Sequence, residues 1–366
     1  MNRREETAAK LWAVRSWLDE RSLEGVLFAS AANFAWLSAG GQSHVAIAEP
    51  AGVGYLLVTS AESYLLTTNI ELRRLQEEEI EAKDFVPVEW PWHDPDGARK
   101  ALESLGDTTK MAADLSGFGP RVTPDIGALR YTLLEPEIER YRSLGRDCGA
   151  ALETACRAAS PGDSELDVAA RTAHECMKRD IQAVVNLVAA DERIALRRHP
   201  LPTTKRIRKG LMGVVTGRRQ GLHASLTRMV SFEEPDAELV SRHRAVVRID
   251  ARLILESQSG NRLNAVLGSG LDQYAEEGFP GEWKLHHQGG LTGYGGREIF
   301  ATPRAEHRLE ANQVVAWNPS ITRVKSEDTL LIGTRGPEVL TESDSWPLHT
   351  VHLPAGEMPR PAILEK

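Results

Sequence analysis

Between Trp283 and Ile332 the chain sets short apolar runs against glycine-rich turns and a dense set of reactive side chains. The stretch opens with Trp283-Lys284-Leu285-His286-His287-Gln288-Gly289-Gly290-Leu291-Thr292-Gly293-Tyr294 and passes through Arg297-Glu298. It closes with Val314-Val315-Ala316-Trp317-Asn318-Pro319 and Lys325-Ser326-Glu327-Asp328-Thr329-Leu330-Leu331-Ile332. Short apolar runs bounded by such turns read as strands. Paired histidines, an Arg-Glu dipeptide and a late Glu-Asp-Thr on those strands predict a cleft on a β-sheet.

The chain has 366 residues, enough for two domains that each bury a core. With 41% apolar and 26% charged residues it has the composition of a soluble globular protein. A net charge of -8 argues against general nucleic-acid binding, which needs a basic footprint. Three cysteines, Cys148, Cys156 and Cys176, form no CxxC pair and read as reduced structural thiols of a cytoplasmic protein. The start, Met1 to Glu6, leads into an amphipathic helix, so no signal peptide is expected. No run of 18 apolar residues predicts a membrane span.

Ala8, Leu11, Val14, Trp17 and Leu18 fall at helical spacing within 4–21. Strands are predicted at 25–30, 54–59, 63–68 and 110–115, the middle pair as a hairpin, and a helix begins at Asn69. Pro136 interrupts the pattern and marks the domain boundary near Leu133. A long helix from Glu137 to about Ala159 follows, then Pro161-Gly162-Asp163-Ser164-Glu165 as a helix start and a second helix to Lys178. Beyond it mostly strands are predicted, with a helix near 264–277, and Pro354, Pro359 and Pro361 predict an irregular tail.

Several stretches together resemble the creatinase, prolidase, aminopeptidase P and methionine aminopeptidase superfamily. Ser22 to Gly41 is similar to the start of its N-terminal domain, and Glu137-Ile138 with Arg142 to the first helix of its catalytic domain. Pro161-Gly162 with Glu165 resembles its PGxxE turn, Thr227-Arg228 its DxTR strand, and Pro319 with Glu327-Asp328-Thr329 its EP and EDT elements. The resemblance implies an α/β N-terminal domain over 1–132 and an α+β pita-bread catalytic domain over 133–366. The family's peptidases hold two divalent metals through two aspartates, a histidine and two glutamates. Here the matching places are Thr216, Ser225, Gly290 and Asn318, and only Glu327 remains. One carboxylate cannot hold two hard dications. Ten Lys/Arg and no Asp or Glu lie between Arg193 and Val230, the reverse of a metal cradle. No metal and no cofactor are therefore expected. His286 and His287 as a relocated metal site are discounted because neighbours on a strand point to opposite faces.

Creatinase is the family's precedent for metal-free catalysis, with a histidine handling protons and glutamates orienting a small guanidinium-type substrate. The matching histidine is His199, in Arg197-Arg198-His199-Pro200, and an imidazole suits proton acceptance and return near neutrality. Glu327 either binds a substrate cation or orients His199, His287 is a second proton carrier, and Glu298 completes the catalytic set. Arg198 is assigned to an anionic group of the substrate. His223 and Ser225 share a face by strand alternation, and Ser225 with Asn318 supplies neutral hydrogen bonds to a polar substrate. His286, pointing the other way from His287, is read as structural and kept as a substrate-binding candidate. No nucleophile-elbow motif surrounds Ser225. The expected function is a metal-independent, creatinase-like hydrolase cleaving an amide or other C–N bond of a small polar metabolite. A silent peptide- or metabolite-binding relative and a metal-dependent Xaa-Pro aminopeptidase or dipeptidase are the alternatives. Family analogy also implies a homodimer in which one N-terminal domain helps to close the other subunit's cleft.

Overall fold

The first helix, α1 (Arg3–Arg21), starts where Asn2 and Glu5 form a reciprocal capping box and stops at Ser22, which is left-handed. It buries Leu11, Val14 and Leu18, and with them Lys10, whose ammonium donates to Glu6 (2.6 Å), Glu137 (2.8 Å) and the Trp36 carbonyl (2.7 Å). The computed structural model describes residues 1–342 and 345–366, and the chain divides into two units, Met1–Glu137 and Ile138–Lys366.

The first unit is built on six strands: β1 (Gly25–Ser30), β2 (Ala51–Thr59), β3 (Ser63–Thr68), β4 (Val86–Trp90), β5 (Met111–Ala113) and β6 (Arg121–Val122). Their order is β4-β3-β2-β1-β5-β6, with β2–β3 the expected antiparallel hairpin. Leu27, Leu57, Leu66 and Met111 form the core on one face of this sheet. Helices α2 (Ala31–Leu37), α3 (Leu72–Arg74) and α4 (Gly97–Leu105) connect it. The helix predicted from Asn69 is only α3 followed by one π turn, Leu75–Glu79.

The long helix α5 (Glu135–Ala158) begins two residues before the predicted start. Pro136 lies in its first turn, where a missing N–H leaves no intrahelical bond unmade, so it starts the helix rather than interrupting it. α6 (Glu165–Met177) starts where the sequence predicts, and Ser164 and Asp167 form a capping box there. Then follow β7 (Gln182–Ala190), α7 (Glu192–Leu196), β8 (Gly210–Arg219), β9 (Leu222–Ser231), α8 (Ala237–Glu256) and α9 (Leu263–Glu276). The remaining strands are β10 (Gly289–Thr292), β11 (Ile299–Phe300), β12 (Val314–Trp317), β13 (Ser320–Ile321), β14 (Val324–Lys325), β15 (Asp328–Gly333), β16 (Gly336–Val339), β17 (Leu348–Leu353), β18 (Gly356–Pro361) and β19 (Leu364–Glu365). One sheet runs β19-β9-β8-β7 and a second β11-β10-β12-β15-β16.

Two expectations fail here. Helix α8 occupies a region expected to be mostly strand. Its β-branched Val240, Val246, Val247, Ile249 and Ile254 favour strands by propensity, but Val246, Val247, Ile249, Leu253 and Ile254 repeat with helical period and are buried, while Asp236 caps the start. The proline-rich tail is not irregular: β17 and β18 pair as a hairpin. Pro359 faces Thr350 and Pro361 faces Leu348. Being two residues apart on a two-stranded ribbon, both can turn their nitrogens away from the ladder. No helix among the described residues is long and apolar enough to cross a membrane, and Cys148, Cys156 and Cys176 are buried free thiols.

Candidate functional site

Residues 325–328 run extended, so side chains alternate between the two faces of the backbone. Lys325 and Glu327 project one way, and Ser326 and Asp328 the other. On the back, Asp328 is gripped by Arg228 (3.1 Å) and Arg360 (2.5 Å). Arg228 also donates to Glu153 (2.9 Å), while Arg360 and Ser326 donate to Asp250 (2.6 and 2.5 Å). All five acidic and basic side chains are buried, and acids and bases alternate along the chain of contacts. This network fixes the strand that presents Glu327.

On the front, the Glu327 carboxylate accepts from Lys325 Nζ (2.7 Å) and Thr227 Oγ1 (2.7 Å), with Arg297 at 3.6 Å. Burial by itself would raise its pKa, but the Lys325 and Arg297 charges outweigh that and hold it below the usual carboxylate range. Thr216 and Ser225 face each other across β8 and β9 with hydroxyls 2.9 Å apart. Ser225 N–H donates to Thr329 Oγ1 at 2.8 Å, which ties this pair to the same strand.

Three imidazoles converge beside these groups. His199 and His286 place their Nε2 atoms 3.0 Å apart, and the His286 and His287 rings stack at 4.4 Å. The expectation that His286 and His287 point to opposite faces is wrong. Both precede β10, in irregular backbone after a 3-10 turn at Glu282–Leu285, and strand alternation does not apply there. Burial, the Lys325 charge and the other two imidazoles push the His286 pKa down to about 2. His287 is pushed down to about 4 by partial loss of hydration around its ring and then by Arg297. His199 is lowered by the same partial loss of hydration and by Lys325, against the opposite pull of Glu327. All three are neutral near pH 7. Asn318 lies 3.5 Å from His287 Nδ1, and its buried Oδ1 finds no hydrogen-bond partner among the described residues.

The other residues singled out in the sequence have different surroundings. Arg198 is engaged by Glu282 (2.7 Å), Thr322 (3.0 Å) and Ser320 (3.1 Å), a latch that occupies its guanidinium. Glu298 accepts from the Gly295 N–H at 2.7 Å and so caps the glycine-rich turn. His223 lies against that turn, with Nδ1 3.3 Å from the Gly293 carbonyl, and burial followed by Arg218 pushes it down to about 4. Lys325, Arg297, Thr227 and Thr216 were not chosen as site residues from sequence. The signal for Lys325 was its place two residues before Glu327 on an extended segment.

The positions matched to the family's metal ligands do not fit two divalent cations. Thr216 and Ser225 are neutral and bonded to each other, and the Glu327 oxygen Oε2 already has two donors. Gly290 has φ 143°, and a Cβ there would stand 2.1 Å from the Ile299 carbonyl oxygen, so no histidine side chain fits without moving the backbone.

The family model of metallopeptidase family M24 matches residues 139–334. Among solved structures, an Xaa-Pro dipeptidase from Bacillus anthracis is similar over 98% of this chain and 100% of its own, with 18% identity and a TM-score of 0.80. The prolidase from Pyrococcus horikoshii OT3 is similar over 92% and 99%, at 20% identity and a TM-score of 0.79. The N-terminal domain of FACT complex subunit SPT16 from Cicer arietinum (chickpea) is similar over 92% and 96%, at 11% identity and a TM-score of 0.70. No match to the sequence was found among curated proteins. The fold is the pita-bread fold of these proteins. With the family model spanning more than half of its length, the chain belongs to metallopeptidase family M24.

Proposed function

We propose that the chain is a hydrolase of an amide-type C–N bond in a small polar substrate, working with His199 in place of a two-metal centre. The observation that carries this reading is the Lys325–Glu327–Arg297 cluster at the last carboxylate position, with neutral His199 within its electrostatic reach. A neutral imidazole accepts a proton from water as the water oxygen attacks the amide carbon. It returns the proton to the leaving nitrogen as the C–N bond breaks, giving acid and amine. Arg297, whose buried Nε–H has no partner among the described residues, is a donor for charge developing on the carbonyl oxygen. Asn318 and Ser225 supply neutral hydrogen bonds to the substrate.

A panel of Xaa-Pro dipeptides, other dipeptides, amides and guanidino compounds tests this, with release of amine, ammonia or urea as the readout and chelator present throughout. Xaa-Pro dipeptides head the panel because similar solved proteins carry that activity in their names. Turnover of at least one compound is expected, and turnover only after Mn²⁺ or Co²⁺ is added would replace this reading with the metal-dependent one. A silent binding relative is the second reading, favoured by Glu327 being tied down by two close donors. It predicts ligands that raise the melting temperature and are never consumed.

A further inference from the structure

His199 comes from the loop between α7 and β8, while His286 and His287 come from the segment before β10, so the fold brings two distant stretches to one point. One ring nitrogen from each of the three lies within 4.8 Å of the others. Nitrogens bound to one tetrahedral zinc at 2.0–2.1 Å stand about 3.3–3.4 Å apart. The His199–His286 pair, at 3.0 Å, is already close to that span. His287 lies on the solvent side of the cluster, its ring 5.8 Å from that of His199, and a turn of that ring closes the set. His199 is exposed as well, which leaves a further coordination position open to solvent.

Asn318 supplies a second, independent sign. A ligating imidazole usually donates its other N–H to an oxygen, which fixes the tautomer. The Asn318 amide is 3.5 Å from His287 Nδ1, and its Oδ1 is buried and without a partner among the described residues. Turning that amide over gives Oδ1 the Nδ1–H of His287 and frees Nε2 for a cation. An all-imidazole set suits Zn²⁺, Co²⁺, Ni²⁺ or Cu²⁺ and not Mg²⁺, Ca²⁺ or Mn²⁺. The nearby cations set the remaining condition. Glu327 balances one of Lys325 and Arg297, so the ion would bind together with an anion such as hydroxide or chloride at its open position.

We propose that His199, His286 and His287 form a site for a single zinc-type cation, and that filling it switches the hydrolase off by capturing its proton carrier. The second half rests on the role given above to His199; the binding half does not.

Protein stripped with chelator and dialysed is titrated with Co²⁺ alone, followed by visible absorption, and with Zn²⁺ alone by calorimetry. One equivalent of each is expected, with no saturable binding of Mg²⁺. The exposed-ring variant His287→Ala, checked by its melt, should lose that equivalent, as should His286→Ala. Asn318→Leu should weaken binding by about 10–100-fold. Absence of a stoichiometric equivalent, or its survival in the His286→Ala/His287→Ala double variant, overturns the site. With any substrate from the panel, Zn²⁺ should inhibit and chelator should restore turnover; binding without inhibition overturns the switch. Turnover that requires the added metal would sink the metal-free function while leaving the site in place.

Discussion

Lys325 and Glu327 act on His199 in opposite senses, and this gives the pocket a signature in pH. The ammonium lowers the His199 pKa and the carboxylate raises it, both on top of the lowering by partial loss of hydration. If neutral His199 takes the proton, the acid limb of turnover lies below the ordinary histidine value near 6.5. Lys325→Met should move that limb to higher pH, and Glu327→Gln should move the limb of the residual rate to lower pH. Movement of both in one direction would show that the limb belongs to another group. His199→Ala and Glu327→Gln should each cost about 10²–10⁴-fold in turnover while keeping a cooperative melt. Their combined loss should fall short of the product of the single losses, because groups acting as a unit are not additive. At this scale the nearness of His199 to Glu327 was legible through the motifs around them. The convergence of His286 and His287 was not, since it depends on irregular backbone that a strand pattern hides. Arg297 was seen only as half of a dipeptide, because its approach to Glu327, 3.6 Å away, joins two segments distant in sequence.

Elements far apart in sequence hold the site from behind. The Arg360 side chain reaches from β18 to Asp250 on α8 and to Asp328 on β15, and all three are buried. Removing one member of such a network leaves its partners as unpaired buried charges. Arg360→Met should therefore lose about 3–5 kcal/mol in chemical denaturation, the usual cost of breaking a buried pair from one side. Breaking a surface pair such as Arg73 with Glu77 should leave the denaturation midpoint nearly unchanged. Equal effects at the two places would remove the network as the support of the Glu327 strand. Both anchors of this network were misread from sequence. Helix α8 was hidden by its β-branched residues, and β18 by its prolines. The helix start at Ser164–Glu165, the β2–β3 hairpin and the strand at Gly25 were legible because their signals are local.

For the whole molecule, the order of motifs from Ser22 to Thr329 was enough to read the pita-bread fold, since each motif marks one piece of a fixed topology. The substrate was not legible, because it depends on a cleft assembled from separate loops. A homodimer remains a proposal by family analogy. Light scattering at micromolar concentration should report twice the 40.3 kDa chain mass, and a monomer there would rule out a neighbouring subunit's contribution to the cleft. The most direct test of the metal-free reading is the turnover of an identified substrate by chelator-stripped protein. Elemental analysis of the same sample would verify that less than about a tenth of an equivalent of any transition metal remains, a level too low to hold the one or two ions of a metal-dependent site. Full activity is expected in that sample, with no gain on adding Mn²⁺ or Co²⁺. Activity lost with the metal and regained with one or two equivalents per chain would contradict the metal-free reading.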